Sequence, residues 1–561
     1  MEYIVFGIMV AGLIAFMLLK GIYDDHSDKK KLIFRLRNRY GELREKEYRP
    51  EQYASISRYF EKHPCDGQID DITWNDLSMD DIFKRLNDTY SSAGEEMLYY
   101  MLRTPHFSEE ELMHLEELIQ YFRKQPEKRV GMQLLFYKLG YTGRFSLYDY
   151  LDHLDILGNR SNVKHWILNL LFIPGILFCM IKPSVGILFL IGVMLYNMIT
   201  YFKEKNEIDT YITSFAYVMR LLDIAEKAEG IHLTAAEREM ELLRSHRKRL
   251  SRFKRGAFWL MSSGRMSGSG NPLDIVLDYF RMICHLDLMK FNSMLAQVRE
   301  QAEDVEVLFS TLGYLETAIA IGAYRESLTE EYCIPELSAD KGTRLSAKEM
   351  YHPLIEHPVK NTINTKRGVL LTGSNASGKS TFLKTVALSA IMAQTIHTVP
   401  AASYEGSYFR ICSSMALRDD LAGGESYYIV EIRAIKRILD RTKKDGAPVL
   451  CFVDEVLRGT NTVERIAAST EILKSLSGDR VICFAATHDV ELTELLSKDY
   501  DNYHFEEEII DNDVHFNYRL LNGKATTRNA IKLLAVMGYE EGIIGNANHR
   551  AEEFMQTGKW R

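Results

Sequence analysis

The sequence contains few of the residue patterns that mark metal-binding or nucleic-acid-binding proteins. Its seven cysteines form no CxxC pair, and no His/Cys cluster has the spacing of zinc ligands, so a structural metal site is not expected. Basic residues are not in excess, because 69 lysines and arginines stand against 77 acidic residues and leave a net charge of -8. A net negative charge of the whole chain does not indicate nucleic-acid binding, although a basic patch can lie on an acidic protein.

The composition also lacks the bias of a disordered chain. Hydrophobic residues make up 46% and charged residues 26% of the 561 positions, which is ordinary for a globular protein. A chain of this length predicts roughly two to four domains. Cys451 and Cys483 lie inside apolar, strand-like runs, which is typical of small buried thiols in a reducing compartment.

Three apolar runs are long enough to cross a membrane. The first, Tyr3–Leu19, contains no charged residue, and Glu2 precedes it while Lys20 follows it, so we expect an uncleaved anchor rather than a secretory signal. The other two, Trp166–Ile181 and Val185–Phe202, are separated only by a Lys-Pro-Ser break and predict a membrane hairpin. The alternative for this pair is a buried helical hairpin in a soluble core.

Basic residues flank these runs and predict their orientation. By the positive-inside rule they place both ends of the hairpin and the chain after the first run in the cytoplasm. The stretch after the first run is predicted to lie against anionic lipid headgroups or, alternatively, to be a solvated helix. Its basic residues are Lys29, Lys30, Lys31, Arg35, Arg37, Arg39, Arg44, Lys46 and Arg49.

Two regions between and after the apolar runs are predicted to be helical. Apolar residues recur at helical spacing in Asp70–Leu151 and in Glu204–Leu328. A loop signal, Ser262–Pro272, interrupts the second region, and a basic cluster at 247–255 precedes that loop. This cluster could contact DNA phosphates, but a solvated basic face is the alternative.

The most specific motif is the segment GSNASGKST. It follows the strand-like run Val369–Leu371 and precedes an apolar helix at Phe382–Gln394. This is the P-loop pattern, in which backbone N–H groups surround phosphate, a lysine reaches the β and γ phosphates, and a serine hydroxyl binds magnesium. The alternative is a plain glycine-rich turn. The predicted nucleotide-binding residues are Gly373, Ser374, Asn375, Ala376, Ser377, Gly378, Lys379, Ser380 and Thr381.

Two later strand-like runs end in acidic or histidine residues. Val449–Glu455 is apolar until Asp454 and Glu455, which is the Walker B pattern. The first acid would bind the magnesium ion together with Ser380, and the second would orient the attacking water. His488 follows another apolar run and is a candidate γ-phosphate sensor, since catalytic groups gather at the ends of parallel strands.

Taken together, these motifs resemble the MutS family of ATPases, the DNA mismatch repair type. Their order and spacing agree with that family, and the resemblance covers most of the chain outside the apolar runs. The motifs are GSNASGKST at 373–381, DDLAGGESYYIVE at 419–431, FVDEVLRGTNT at 452–462, ATHDVEL at 486–492 and YRLLNGKATTRNAIKLLAVMGY at 518–539. Weaker similarity extends to the His-Pro-Leu-Ile segment at 352–355 and to 311–326 and 71–102.

The resemblance implies ATP and Mg²⁺ as cofactors and a homodimer that holds two ATP molecules. Ser426 would reach the γ-phosphate bound by the other subunit, and Asn361 would lie where the base of the nucleotide packs. Thr460 and Asn461 would lie in a loop at the dimer interface. Residues 529–546 would form the helix-turn-helix that holds the dimer.

The sequence also departs from the family. It has no recognisable mismatch-reading domain with a Phe-x-Glu wedge, no inserted DNA clamp and no nuclease-like domain after the ATPase motifs. DNA is therefore one expected partner, and a membrane signalling or scaffolding ATPase switch with an unknown protein partner is the alternative. Half of an ABC transporter fits less well, because three crossings do not line the usual pathway.

We therefore expect a multidomain protein of the inner cell membrane with its ATPase domain in the cytoplasm. Its fold would combine transmembrane helices, a helical MutS-like core and lever, and a C-terminal α/β P-loop ATPase domain of ABC type with a helix-turn-helix tail. The predicted segments are an anchor at 1–23, a basic segment at 24–64, helical core at 65–160 and 204–340, a membrane hairpin at 164–203, the ATPase at 345–528 and a dimerisation segment at 529–561.

Overall fold

The computed structural model describes most of the chain. The described residues are 20, 23–24, 26–42, 46–143, 145–254, 279–339, 342–374, 377–415, 427–457, 460–510, 513–524, 531–532, 534 and 537–558. The predicted anchor at 3–19, the predicted loop at 262–272 and the candidate site residues Asn375, Ala376 and Ser426 lie outside them. The fold is mixed helical and sheet, and it divides into two compact units.

The first unit is helical. It comprises Met1–His63, Asn87–Tyr100 and Glu117–Glu326. Its helices are residues 26–38, Pro50–Ile56, Arg58–Lys62, Ser92–Arg103, Glu109–Lys124, Pro126–Leu139, Leu147–Asp152, Val163–Leu170, Phe172–Ile181, Pro183–Glu229, Glu237–Arg249, Ser251–Lys254, Leu286–Glu300 and Ala302–Ser327, with short 3₁₀ turns at Leu154–Leu157 and Thr234–Ala236. The division between the units falls within Ser92–Arg103 and Glu109–Lys124.

Three helical stretches in the described part of the chain are long and apolar enough to cross a membrane, by length and composition. Val163–Ile181 and Pro183–Ile208 are only 17% and 22% buried, whereas Ala302–Ser327 is 78% buried and belongs to the core of the helical unit. The first two contain the predicted hairpin, and Pro183 begins the returning helix at the position where proline is best tolerated. That helix does not end at Phe202 but continues to Glu229, because no glycine or proline interrupts it.

The second unit contains all the strands of the described part of the chain. They are β1 Glu336–Ser338, β2 Leu345–Met350, β3 Asn361–Thr365, β4 Gly368–Thr372, β5 Ser403–Ser407, β6 Arg410–Ser414, β7 Val449–Asp454, β8 Val481–Ala486, β9 Tyr500–His504, β10 Glu507–Ile510, β11 Asp513–Phe516 and β12 Leu521–Asn522. The main sheet has the order β12-β9-β4-β8-β7-β6, and all its neighbours are parallel except β12 and β9. A four-stranded sheet, β1-β5-β2-β3, and the hairpin β10-β11 complete the unit.

Helices of the second unit pack against the main sheet or beside the helices that cover it. They are Asp71–Asp76, Met79–Leu86, Lys379–Thr395, Tyr427–Thr442, Thr462–Ser475 and Glu491–Leu495, and the C-terminal helix Glu541–Thr557 also belongs to this unit. Strands β4, β7 and β8 are buried along their whole length, as expected of apolar runs covered on both faces. Since parallel strands end at one edge of a sheet, the residues that follow these three strands lie close together.

The second unit also includes two segments from early in the chain, Pro64–Leu86 and Met101–Glu116. The predicted helical core at 65–160 is therefore divided between the two units. Side-chain hydrogen bonds from helix Asp71–Asp76 to β6 account for the first segment. A hydrogen bond from His106 N to Gln394 O accounts for part of the second.

Candidate functional site

A cavity of about 740 Å³ opens where the central strands end. Its volume is in the usual range for the binding of a small molecule. It is lined by Met350, His352, Ile355, His357, Pro358, Val359, Asn361, Ser377, Gly378, Lys379, Ser380, Thr381, Phe382, Thr385, Met415, Asp454, Glu455, His488, Phe505 and Tyr518. Nine of the residues predicted from sequence are among them, while Gly373 and Ser374 lie in the adjoining loop.

The loop after β4 has a backbone conformation that requires glycine at its start. Gly373 has φ 143° and Gly378 has φ 107°. A Cβ atom on Gly373 would lie 2.6 Å from the carbonyl oxygen of Phe505, so the loop could not keep this path with a larger residue. Helix Lys379–Thr395 begins directly after Gly378, and its N-terminus carries the partial positive charge that favours phosphate.

Two buried polar groups in this loop fit a phosphate ligand. The Lys379 ammonium group donates to the carbonyl oxygens of Gly373 at 2.9 Å and of Ser374 at 2.7 Å, which holds it inside the loop. The Ser377 hydroxyl is buried and has no hydrogen-bond partner among the described residues. Buried hydroxyl groups are normally satisfied, so this one fits a ligand, such as phosphate, that accepts its hydrogen bond.

The hydroxyl of Ser380 and the carboxylate of Asp454 meet beside the loop. Ser380 Oγ donates to Asp454 Oδ2 at 2.5 Å, although the two residues lie on a helix and at the end of β7. Hydroxyl and carboxylate oxygens are the ligands that Mg²⁺ prefers, and Mg²⁺ usually takes its remaining ligands from phosphate and water. Accordingly, no group of three or more His, Cys, Asp or Glu side chains that could hold a metal occurs in the described residues.

Glu455 and His488 form a second pair in the cavity. His488 Nε2 lies 2.9 Å from Glu455 Oε1. Glu455 has φ 61°, a left-handed conformation that is strained for a residue with a side chain by roughly 1–3 kcal/mol. Its N–H donates to Ala486 O at 2.9 Å, and Thr487 N–H donates to Leu371 O at 2.9 Å. These bonds tie the ends of β7, β8 and β4 together and fix both side chains at the cavity.

Asn361 lines the cavity, but its amide group is engaged with the C-terminal part of the unit. Its Oδ1 accepts from Leu520 N at 2.7 Å, and its Nδ2 donates to Tyr518 O at 3.0 Å. The Tyr518 ring in turn lies over the end of the loop, since a Cβ on Gly378 would be 3.2 Å from it. Asn361 therefore holds Tyr518 in the cavity wall.

His352 is the most strongly perturbed titratable group of the cavity wall. Burial, helped by the nearby Lys384, lowers its pKa to about 4. Its Nδ1 accepts a hydrogen bond from Leu354 N at 3.3 Å, which the neutral ring can do. The side chain is therefore neutral at physiological pH and presents an uncharged aromatic face to the cavity.

Several cavity residues were not predicted as site residues, among them Met415, Phe505 and Tyr518. Met415 and Phe505 each follow the end of a strand, β6 and β9, and this position was the available signal. Tyr518 follows β11 and stacks on Phe516 with ring centroids 5.9 Å apart. Tyr518 begins the last of the family-like motifs, at 518–539, but the motif alone does not indicate that its ring lines the cavity.

The residues predicted at a dimer interface are only partly described. Asn461 caps helix Thr462–Ser475, since its Oδ1 accepts from Val463 N at 2.9 Å, and Thr460 Oγ1 donates to Glu464 at 3.3 Å. Their predicted role between subunits, like that of Ser426, stays a prediction.

Comparison with known proteins agrees with this geometry. Residues 369–555 match the family model described as MutS domain V. The chain is 31% identical over 281 residues to the DNA mismatch repair protein MutS of Thermotoga sp. (strain RQ2), covering 48% of this chain and 33% of that protein. It is 32% identical over 215 residues to the DNA mismatch repair protein MutS of Thermus aquaticus, covering 37% of this chain and 26% of that protein.

The matched region contains the loop after β4, the Ser380–Asp454 pair and the Glu455–His488 pair. The chain spans no more than about a third of the length of these curated relatives. The similarity in sequence thus coincides with the described cavity, and this part of the chain is similar to domain V of the MutS family.

Proposed function

We propose that this protein is a membrane-anchored MutS-type ATPase that binds ATP with Mg²⁺ in the described cavity and hydrolyses it as a dimer. The observation that carries the proposal is the meeting of three elements at one sheet edge. These are the buried Lys379 ammonium group with the Ser377 hydroxyl, which has no partner among the described residues, the Ser380–Asp454 pair and the Glu455–His488 pair.

Each of these groups has a role in phosphoryl transfer to water. Lys379 and the loop N–H groups would bind the β and γ phosphates. Ser380 and Asp454 would hold Mg²⁺, which when bound neutralises charge on the phosphates. Glu455 would orient the attacking water and accept its proton, while His488 would exchange its contact with Glu455 for one with the γ-phosphate. The partner subunit would complete the site through its signature segment, which includes the position of Ser426.

The exposed apolar hairpin supports attachment to a membrane. Trp166 is 58% exposed, Leu188 72% and Ile199 69%, and the apolar surface continues along both helices. A contiguous apolar surface of this length would be costly in water, whereas two helices of this length match a bilayer. Together with the predicted anchor at 3–19, the hairpin would make this a multi-pass protein of the inner cell membrane, with lipid as a partner. The ATPase unit would lie in the cytoplasm.

DNA is the partner that the family implies, and one observation favours the alternative. In the basic cluster at 247–255, Arg247 pairs with Glu229 at 2.9 Å and Arg249 pairs with Asp304 at 3.2 Å. These ion pairs reduce the positive charge available for phosphate contacts. The second candidate function is therefore an ATP-driven signalling or scaffolding switch at the membrane that does not bind DNA and acts on a protein partner.

The test is the ATPase rate of the detergent-solubilised full-length protein. Lys379→Ala should lower the rate by about a hundredfold or more, since the ammonium group stabilises charge on the transferred phosphate. Lys366→Ala, which changes an exposed lysine outside the cavity, is the matched control. Equal rates in all three proteins would contradict the proposal.

The same assay distinguishes the two candidate functions. Homoduplex, mismatched and branched DNA are added at low and high salt. A change of rate that fades with salt indicates phosphate contacts and supports DNA as the partner. A rate that no DNA alters supports the membrane switch.

A further inference from the structure

A short helix from early in the chain closes the outer edge of the main sheet. Strand β6 is the terminal strand of that sheet. Its Ser413 N–H donates to Thr73 Oγ1 at 3.1 Å, and the N–H of Met415, just after the strand, donates to Asp76 Oδ2 at 2.9 Å. Both acceptors lie on helix Asp71–Asp76. The helix thus provides acceptors for N–H groups at the edge of the sheet, to which a further strand could otherwise bond.

Asp76 makes the most constraining of these contacts. A single carboxylate oxygen, Oδ2, accepts from Ser413 Oγ at 2.6 Å and from Met415 N at 2.9 Å, and the residue is 2% exposed. Hydrogen bonds to a buried carboxylate are stronger than those between neutral groups. They fix the carboxyl end of β6, and Met415 at this end lines the cavity that holds Ser380 and Asp454.

The helix that carries Asp76 is itself firmly anchored. Trp74 is 2% exposed and donates from its indole nitrogen to Asp80 Oδ1 at 2.5 Å. The Arg103 guanidinium group lies over the Trp74 ring, 4.3 Å from its centroid, and donates to Ile69 O at 3.1 Å. A helix packed in this way cannot follow a shift of β6 without breaking these contacts.

The N-terminal end of helix Asp71–Asp76 also forms ion pairs with helix Tyr427–Thr442, which lies after β6 in the chain. Asp70, the N-cap residue, accepts from Thr73 N at 2.9 Å and forms ion pairs with Arg437 and with Arg441, the latter at 2.7 Å. Burial alone would raise the pKa of Asp70, but the two arginines outweigh it and lower that pKa. Helix Tyr427–Thr442 and the end of β6 are therefore tied to one short segment.

We propose that Asp76 is a positioning residue of the ATPase site. It sets the place of Met415 in the cavity wall and so the geometry in which bound ATP reacts. The inference rests on the proposed ATPase function.

The test compares four full-length proteins in detergent, with turnover expressed per nucleotide-binding site. Asp76→Ala removes the acceptor and should lower kcat at least tenfold, with the KM for ATP changed less than threefold. Asp76→Asn keeps an oxygen that can accept both hydrogen bonds and should restore kcat to within threefold of the wild type. Asp81→Ala is the matched control, because Asp81 is exposed, lies in the same stretch and pairs with Lys84.

The outcomes separate this inference from the function on which it rests. A wild-type protein without ATPase activity overturns the proposed function. If the wild type is active and Asp76→Ala has an unchanged kcat, the inference alone is overturned. In that case Asp76 has a purely structural role, which lowers the amount of folded protein and not its turnover. If Asp76→Ala does not fold, amide hydrogen exchange of wild-type residues 70–78 is measured with and without a non-hydrolysable ATP analogue. Slower exchange with the analogue supports the inference, and unchanged exchange overturns it.

Discussion

Glu316 is a buried carboxyl group whose ionisation should control the pH dependence of the stability of the helical unit. It lies on helix Ala302–Ser327 and is 2% exposed. Its two oxygens accept hydrogen bonds from Tyr90 N at 2.5 Å and from Ser91 Oγ. Burial raises the pKa of Glu316 to about 8 even though these bonds oppose the change. The neutral acid is therefore the form that the folded helical unit prefers.

The sign of the effect follows from proton binding. In the unfolded chain this carboxyl group has its ordinary pKa of 4.5, so between that pH and about 8 the folded protein holds a proton that the unfolded chain has released. The stabilising contribution is complete below the unfolded pKa and is lost as the pH rises through the folded pKa. Each pH unit within this window removes about 1.4 kcal/mol, so a rise by about two units removes at most about 3 kcal/mol.

Two substitutions separate the charge of Glu316 from its hydrogen bonds. Glu316→Gln keeps the shape, accepts from Tyr90 N and donates to Ser91 Oγ, so its free energy of unfolding should not fall across this window. At about pH 8 it should be more stable than the wild type. Glu316→Ala removes the acceptor of the Tyr90 N–H and creates a cavity, which should cost about 2–4 kcal/mol at every pH.

The assay is thermal unfolding of the full-length protein in detergent across this pH range. For a unit of this size, about 1 kcal/mol corresponds to roughly 2–4 °C in Tm. Amide exchange of residues 90–100, which include the Tyr90 and Ser91 donors, gives a local readout of the packing around Glu316. The control is Glu303→Gln, at an exposed position of helix Ala302–Ser327, which carries Glu316. If the wild type and Glu316→Gln lose Tm equally as the pH rises, the reasoning is refuted.

Three further predictions concern the cavity wall and the packing beside Glu316. The pKa of His352 is about 4, below its ordinary 6.5, so the stabilising contribution of this side chain is present above pH 6.5 and is lost as the pH falls towards 4. His352→Asn should therefore lose several degrees less Tm than the wild type over this pH range. An identical loss of Tm in both proteins would contradict this prediction. Asn361→Ala should release Tyr518 and raise the KM for ATP about tenfold, with a smaller effect on kcat. An unchanged KM would show that the hydrogen bond between Asn361 and Tyr518 does not affect ATP binding. A Cβ on Gly94 would lie 2.3 Å from Glu316 Oε2, so Gly94→Ala should lower Tm by about 5 °C or more. The double variant with Glu316→Ala should lose less Tm than the sum of the two single losses, because the second change removes the clash. Strictly additive losses would count against this contact.

The positions of many cavity side chains could be predicted from sequence because these residues lie in short motifs. GSNASGKST follows β4, and Asp454, Glu455 and His488 each follow or end an apolar run that forms β7 or β8. Parallel strands bring their carboxyl ends together, so local patterns and one rule of topology were sufficient to place these side chains near one another. The structure adds their contacts, such as the 2.9 Å pair of Glu455 and His488.

The partners of the early helices could not be predicted in this way. Asp76 contacts Ser413, a residue 337 positions later, through one carboxylate oxygen, and nothing in the local sequence of either residue indicates the other. The same holds for Asn361, whose family role suggested nucleotide contact while its amide group holds Leu520 and Tyr518. Periodicity identifies a helix and its apolar face, but it does not specify which distant edge the polar face will bond.

The measurement that tests the central claim most directly is the fate of ATP bound to Glu455→Gln. The full-length variant in detergent is incubated with ATP and magnesium and passed through gel filtration, and the nucleotide and mass of the protein peak are determined. Glu491→Gln, at an exposed position outside the cavity, is the control. Because the amide cannot accept a proton from water, we expect unhydrolysed ATP retained in a particle of two chains and turnover reduced by about a hundredfold or more. Turnover equal to that of the wild type, with no ATP retained, would contradict the assignment of this cavity as a MutS-type ATPase site.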